Sequence, residues 1–418
     1  MAARVSPALH ALRKLEQAAR RGPARDETTA GTRSFLRAAD GTRTYFAVSA
    51  GTVRAEEAAI EALAADVSFE HIDRVADAVA RFTSDAVADP TANVVQLFVD
   101  ENWREPMNLA CYIPIEHLEV DEPFEVGNVR FCPIGDPSLP VIGPGFSMEA
   151  PIASVAVVDT AGTNYGLMSR RAKATVAHSL QVLRAALATT HPSLIASQLR
   201  FRAGSQYTFG PNLTGWSALP DRAFRLQVGA QIVETALTRP LARLPDFPST
   251  NVQRKANVAL GWIDRATFSE DQLVSMLFLF FALEAILGDR SEGLKAKALA
   301  YRRAMLSHHA TGHFADPDRI WLMYDQIRSD AVHGGDADLV NEEMLRSFAR
   351  DVVIALDEYL DLAIELRSEK HADICRFLDN HVDRQKFADW LHANANPGWD
   401  EFFSPRNDTR QSDSSTHP

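Results

Sequence analysis

The chain has 418 residues, 46% of them hydrophobic and 23% charged, which allows a folded core and two or three domains. Its 43 Lys and Arg against 55 Asp and Glu leave a net charge of -12, which argues against a broad basic surface that coats duplex nucleic acid but not against one local basic cleft. Three widely spaced cysteines, Cys111, Cys132 and Cys375, form no C-x-x-C pair, so a reducing, cytoplasmic setting without structural zinc is expected.

Residues 1–32 mix Ala, Leu and Arg, and Leu9, Leu12 and Leu15 at helical spacing predict a short amphipathic segment broken at Gly22-Pro23. Its arginines are read as a solvated face, and no continuous apolar run follows the positive start, so no secretory signal is expected. Residues 33–235 read as one mixed α/β domain, a candidate sensor or recognition part. Strands are predicted at Arg43–Val48, Asn93–Val99, Leu109–Ile113, Val129–Ile134 and Ser154–Val158, from short β-branched or aromatic runs bounded by Pro, Gly, Asp or Asn. Helices are predicted at Ala55–Ala65, His71–Phe82 and Ala172–Ala188, the last with Val176, Leu180, Leu183 and Leu187 on one stripe. Leu199–Phe201 and Tyr207–Phe209 read as a hairpin, and Cys111 and Cys132 as buried thiols. Gly162 and Gly166 are too close together for a phosphate loop, and Leu167 stands where its lysine would be. Trp216, Tyr207 and Phe209 near Arg200 and Arg202 read as a packed aromatic cluster before a base-stacking platform.

Pro240, Pro245 and Pro248 mark a linker over 236–249, and an all-α bundle is expected over 250–370. Thr250-x-x-Gln253 and Ser269-x-x-Gln272 read as capping boxes opening its first two helices, and a third helix is expected from Ser291 to Ser307. His308 to His313 then reads as a loop. His309 and His313 are four apart, but Thr311 and Gly312 argue against a helix there, so neither a metal site nor a cofactor is expected. The fourth helix spans Pro317 to His333. The fifth spans Ala337 to Ser368, with Leu345, Phe348, Val352, Leu356 and Tyr359 for the core. A helical extension over 371–403 packs Trp390 and Trp399 back on the bundle, and 404–418 is a polar, disordered tail. The strongest apolar run, Leu273 to Leu287, is shorter than the roughly 20 residues of a membrane span and contains Glu284, so no membrane association is expected.

The stretch Tyr324 to Gly335 carries the candidate chemistry. Arg328 and His333 are five positions apart at the end of the fourth helix, where Gly334-Gly335 is a stop signal. Histidine moves protons near neutral pH and arginine clamps phosphate oxygens, a pairing suited to phosphate chemistry. Asp330 lies about one turn before His333 and is a candidate to orient it. The plain alternative is a surface arginine and a helix-terminal histidine facing the dipole. Glu284, alone in its apolar helix, needs a partner. Arg328 is the first candidate, with Arg302 and Arg303 as rivals. Such a pair either locks two helices in register or fixes the guanidinium that grips a phosphate.

Arg328 to His333 matches the R-x4-H motif of HEPN domains. The wider context, Phe281 to Leu287 with Tyr324 to Gly335, resembles the Apea-like HEPN family over roughly residues 250 to 367. With the N-terminal mixed α/β domain read above, the chain is expected to be α+β, and the resemblance implies that its C-terminal all-α bundle is HEPN-like. It also implies a metal-independent endoribonuclease acting on RNA as a homodimer, with two motifs facing each other. In that scheme Arg328 and His333 are catalytic and Glu284, Asp330 and Ser329 support them. An effector role in prokaryotic antiphage defence or a toxin-like system follows from the same resemblance. Ser329 stands where catalytic members often have Asn, Asp or His. With the acidic net charge, it fits the alternative of a non-catalytic nucleotide- or RNA-binding or scaffold module.

Overall fold

The computed structural model describes residues 6–22, 29–36, 43–139, 154–191, 202–203, 207–209, 226–288, 295–333 and 340–394. Helix α1 (Pro7–Arg21) starts where the Ser6 hydroxyl accepts from the Ala8 amide and ends at Gly22, whose φ of 63° is left-handed. Strands β1 (Thr29–Leu36) and β2 (Arg43–Ser49) pair antiparallel. Ser49 then caps α2 (Ala50–Ala65), followed by a 3-10 turn at Val67–Phe69, α3 (Val75–Ala88) and α4 (Val94–Asn102). The four helices share a core that includes Leu12, Leu15, Leu63, Phe69, Phe82 and Phe98.

The strands that follow are β3 (Met107–Glu116), β4 (Leu118–Val120), β5 (Phe124–Val126), β6 (Val129–Pro133) and β7 (Ser154–Gly162). Helix α5 (Tyr165–Thr190) precedes β8 (Arg202–Ala203), β9 (Tyr207–Phe209) and β10 (Leu226–Val228). The main sheet has the order β5-β6-β7-β3-β8, with β9 also on β3, and β10 pairs parallel with β4. The rest is helical: α6 (Ala230–Leu237), a 3-10 helix at Pro240–Asp246, α7 (Asn251–Phe268), α8 (Gln272–Leu287), α9 (Lys295–Thr311), α10 (Pro317–His333), α11 (Glu342–Glu365), α12 (His371–Asp379) and α13 (Arg384–Ala393). The chain thus has an N-terminal α/β region with sheets and a C-terminal all-helical region. No helix among the described residues is long and apolar enough to cross a membrane.

Two compact units are present. One comprises Met1–Ile113, Val157–Val176 and Ser205–Ser217, and the other Pro114–Ala156, Ala177–Gly204 and Ala218–Pro418.

Several elements depart from the sequence expectation. Asn93–Val99 is not a strand but the start of α4. The Asn93 side chain accepts from the Gln96 amide at 3.2 Å, and Val94, Val95 and Phe98 fall on one buried face. Burial of that face overrides the β-branched propensity. Helix α3 begins at Val75, four residues after His71. The cap of α8 is Asp271, which accepts from the Val274 amide at 3.0 Å; Ser269 instead bonds the Asp271 backbone. The stretch from His308 to Thr311 is the last turn of α9, and Gly312, with φ of 78°, ends it. Strands β8 and β9 each pair antiparallel with β3, and the Leu199–Phe201 arm of the expected hairpin lies outside the described residues. Within the proline-rich 236–249 stretch, Leu241 and Leu244 of the 3-10 helix are fully buried, and the Leu241 amide donates to Asp357 at 3.0 Å. Cys111, Cys132 and Cys375 are buried. Leu199–Phe201, Trp216, Trp399 and the 404–418 tail lie outside the described residues.

Candidate functional site

Helix α10 stays helical from Pro317 through His333. Its apolar face is set by Ile320, Met323, Tyr324 and Ile327, all buried, at i, i+3, i+4 and i+7. Arg328 and His333 therefore share one regular backbone, about 140° apart by helix geometry. The side chains of Arg328, Ser329, Asp330 and His333, and the Gly334-Gly335 stop, lie outside the described residues.

Glu284 sits on α8 and is half-buried. The Tyr324 hydroxyl donates to its carboxylate. Tyr324 is four residues before Arg328, so this bond ties Glu284 of α8 to the helix that carries Arg328. The Phe280 ring meets Tyr324 edge-on at 5.2 Å between centroids and Phe348 at 4.6 Å, which fastens α8 to both α10 and α11. Tyr324 was legible as part of the motif stretch, and its i-4 spacing to Arg328 is the signal that singles it out.

The two rival arginines are committed elsewhere. Arg302 holds Asp379 through two bonds of 2.8 and 2.6 Å and the Leu287 carbonyl at 2.7 Å. Arg303 holds Glu358 and Asp351, each at 2.7 Å. Neither cation pairs with Glu284 among the described residues.

The histidines of α9 form a hydrogen-bonded chain. The Asp383 amide donates to His381 Nδ1 at 3.2 Å, which puts the ring proton on Nε2. His381 Nε2 then donates to His309 Nδ1 at 3.4 Å, and His309 Nε2 donates to Glu365 at 2.9 Å. His308 bonds Asp383 at 3.0 Å and stacks on Phe314. Among the described residues, no group of three or more His, Cys, Asp or Glu is placed to hold a metal ion.

Burial, followed by the neighbouring His309, His308 and Lys386 against Asp383, pushes His381 below its ordinary value. The unfolded chain then takes up this proton first as the pH falls. His381 contributes stability that is complete above about pH 6.5 and is lost as the pH drops through its lower folded value. Urea unfolding at pH 7.5, 6.5 and 5.5 should show stability falling toward acid. His381→Gln should flatten that fall; an unchanged slope would remove His381 as its source.

A second polar centre lies in the first unit. Glu70 is buried, and its carboxylate accepts from the amides of Thr163 and Asn164 at 3.0 and 3.2 Å and from Arg171. These amides precede α5 at the strand-to-helix turn after Gly162, a geometry suited to anions. The chain's own carboxylate fills it. No sequence signal links Glu70 to a turn 93 residues away.

Comparison with protein-family models, curated proteins and solved structures finds no match for this chain.

Proposed function

We propose that the chain is a HEPN-type, metal-independent endoribonuclease, working as a homodimer through its helical region, in an antiphage-defence or toxin-like role. The observation that supports it best is the Tyr324–Glu284 hydrogen bond. It ties the Glu284 carboxylate to Tyr324, four residues before Arg328 on a helix that continues through His333. In this scheme Glu284 steadies the Arg328 guanidinium, which neutralises the charge growing on the scissile phosphate. His333 handles the proton of the attacking 2′-hydroxyl or of the leaving 5′-oxygen, and Asp330 orients the imidazole. Attack by the 2′-oxygen yields a 2′,3′-cyclic phosphate and a 5′-hydroxyl. The second reading, a non-catalytic RNA- or nucleotide-binding or scaffold module, draws on Ser329 and the net charge of -12.

The test is RNA cleavage in EDTA by the purified wild type beside Arg328→Ala and His333→Ala. The expected result is cleavage by the wild type and a loss of about 100-fold or more in each variant, with folding intact. Cleavage unchanged in both variants would refute this site. RNA bound but left uncut by the wild type would put the binding module ahead.

A further inference from the structure

A cleft of about 370 Å³ opens between the C-terminal part of α5, α7, α8 and the first turns of α11, all within the second unit. That volume is at the low end of the roughly 300–1,000 Å³ of small-molecule sites. Its apolar wall includes Ala185, Leu260, Ile263, Leu279, Ala349 and Val353.

The charges around the cleft are unequally answered. Arg184 is buried and bonds Asp264, which also accepts from Gln181 at 3.1 Å, so this wall is a neutral, hydrogen-bonded couple. Arg346 bonds Glu342 at 2.9 Å on the same helix face. Glu342 and Glu343 occupy the first turn of α11, where the helix's own partial positive charge stabilises carboxylates. Arg350 lies two turns into the helix, exposed at the cleft, and has no ion pair or hydrogen bond among the described residues. The lining therefore offers an apolar interior and one unanswered positive charge at the edge. It does not call for a polar body, because Arg184 and Gln181 already bond Asp264 on that wall. It calls for an acid at Arg350.

We propose that this cleft binds a small organic acid, its apolar body against Leu260, Ile263, Leu279 and Ala349 and its anionic head on Arg350. The site is independent of the ribonuclease reading, and its test does not require cleavage.

The probe is 8-anilinonaphthalene-1-sulfonate, which joins a compact apolar body to one anion, with its uncharged counterpart N-phenyl-1-naphthylamine as control. Fluorescence titration of the full chain should show saturable, one-to-one binding of the sulfonate. Arg350→Glu should weaken it by about tenfold or more, the worth of a charge-assisted contact, while leaving the uncharged dye unaffected. Ala349→Phe should fill the cleft and abolish binding of both dyes. Absence of saturable binding, or sulfonate binding unchanged in Arg350→Glu, would overturn the proposal. So would binding unchanged in a folded Ala349→Phe. Arg350 is exposed, so its substitution leaves the packing intact and the charge comparison stands even where Ala349→Phe does not fold.

Discussion

Arg303→Ala is expected to destabilise the helical region by about 3–5 kcal/mol, the cost of removing one partner from a buried ion pair. Arg303 on α9 is 2% exposed and holds two acids of α11, Asp351 and Glu358, at 2.7 Å each. Burial opposes its charge, but Asp351 and Glu358 outweigh that and hold the guanidinium above its ordinary value. Burial already raises the Glu358 carboxyl, and Arg303 pulls it partly back. Without the cation, two buried or half-buried carboxylates face each other with nothing between them. The ionised form of Glu358, already disfavoured by burial, loses the cation that held it, so the folded chain keeps a proton there that the unfolded chain releases. The deficit of the variant should be largest near pH 8 and shrink as the pH falls toward the raised folded value of Glu358. Thermal unfolding of wild type and variant at pH 8 and pH 5.5 checks this. A deficit that did not change with pH would mean that lost packing, and not stranded charge, is the cause. Adding Glu358→Gln to Arg303→Ala should recover part of the loss, since a neutral amide costs less to bury than an unpaired charge.

Gly162→Ala is the second large effect. A Cβ there would collide with Glu70 Oε2 and stand 2.7 Å from its Cδ and 2.8 Å from Met168 Cγ. Glu70 cannot withdraw without giving up the Thr163 and Asn164 amides and Arg171 together. Overpacking and the loss of charge-assisted bonds should together cost about 3 kcal/mol. Gly166→Ala supplies the contrast. Gly166 lies in the first turn of α5, and a Cβ there meets nothing nearer than Asn164 Oδ1 at 3.4 Å. Alanine should be neutral there or stabilise by up to about 1 kcal/mol through helix propensity. Denaturant unfolding of both variants decides the matter. Equal stability of the two would show that the close approach at Gly162 is relieved at no cost, and Glu70 would not be the anchor described.

The two glycines also show how far the sequence could be read. Gly162 and Gly166 invite comparison with a phosphate loop, and their spacing turns that comparison away. Only the fold shows that the turn nevertheless gathers amides around an anion, and that the anion is Glu70. The histidines of α9 run the other way. Thr311 and Gly312 suggested a loop, because both have low helix propensity. Packing of His308 and His309 against Phe314, Phe377 and His381 carries the helix to Thr311.

What the sequence determined by itself is what neighbouring residues decide. The Ser6, Thr250 and Asn341 caps each bond an amide two or three residues on. The bounds of α10 follow from Pro317 and an apolar face of period 3.6. The division into an α/β region and an all-helical region follows from the same local signals. The tertiary structure decided which charges meet. Tyr324 reaches Glu284 across 40 residues, Arg303 reaches Glu358 across 55 and Thr163 reaches Glu70 across 93. Periodicity says which face of an element is buried. It does not say which of several carboxylates or arginines the packing will bring opposite, because that depends on how helices distant in the chain cross. Glu284 is the plainest case: a lone acid in an apolar helix announced that it needed a partner, and only the seating of α10 against α8 supplied the Tyr324 hydroxyl.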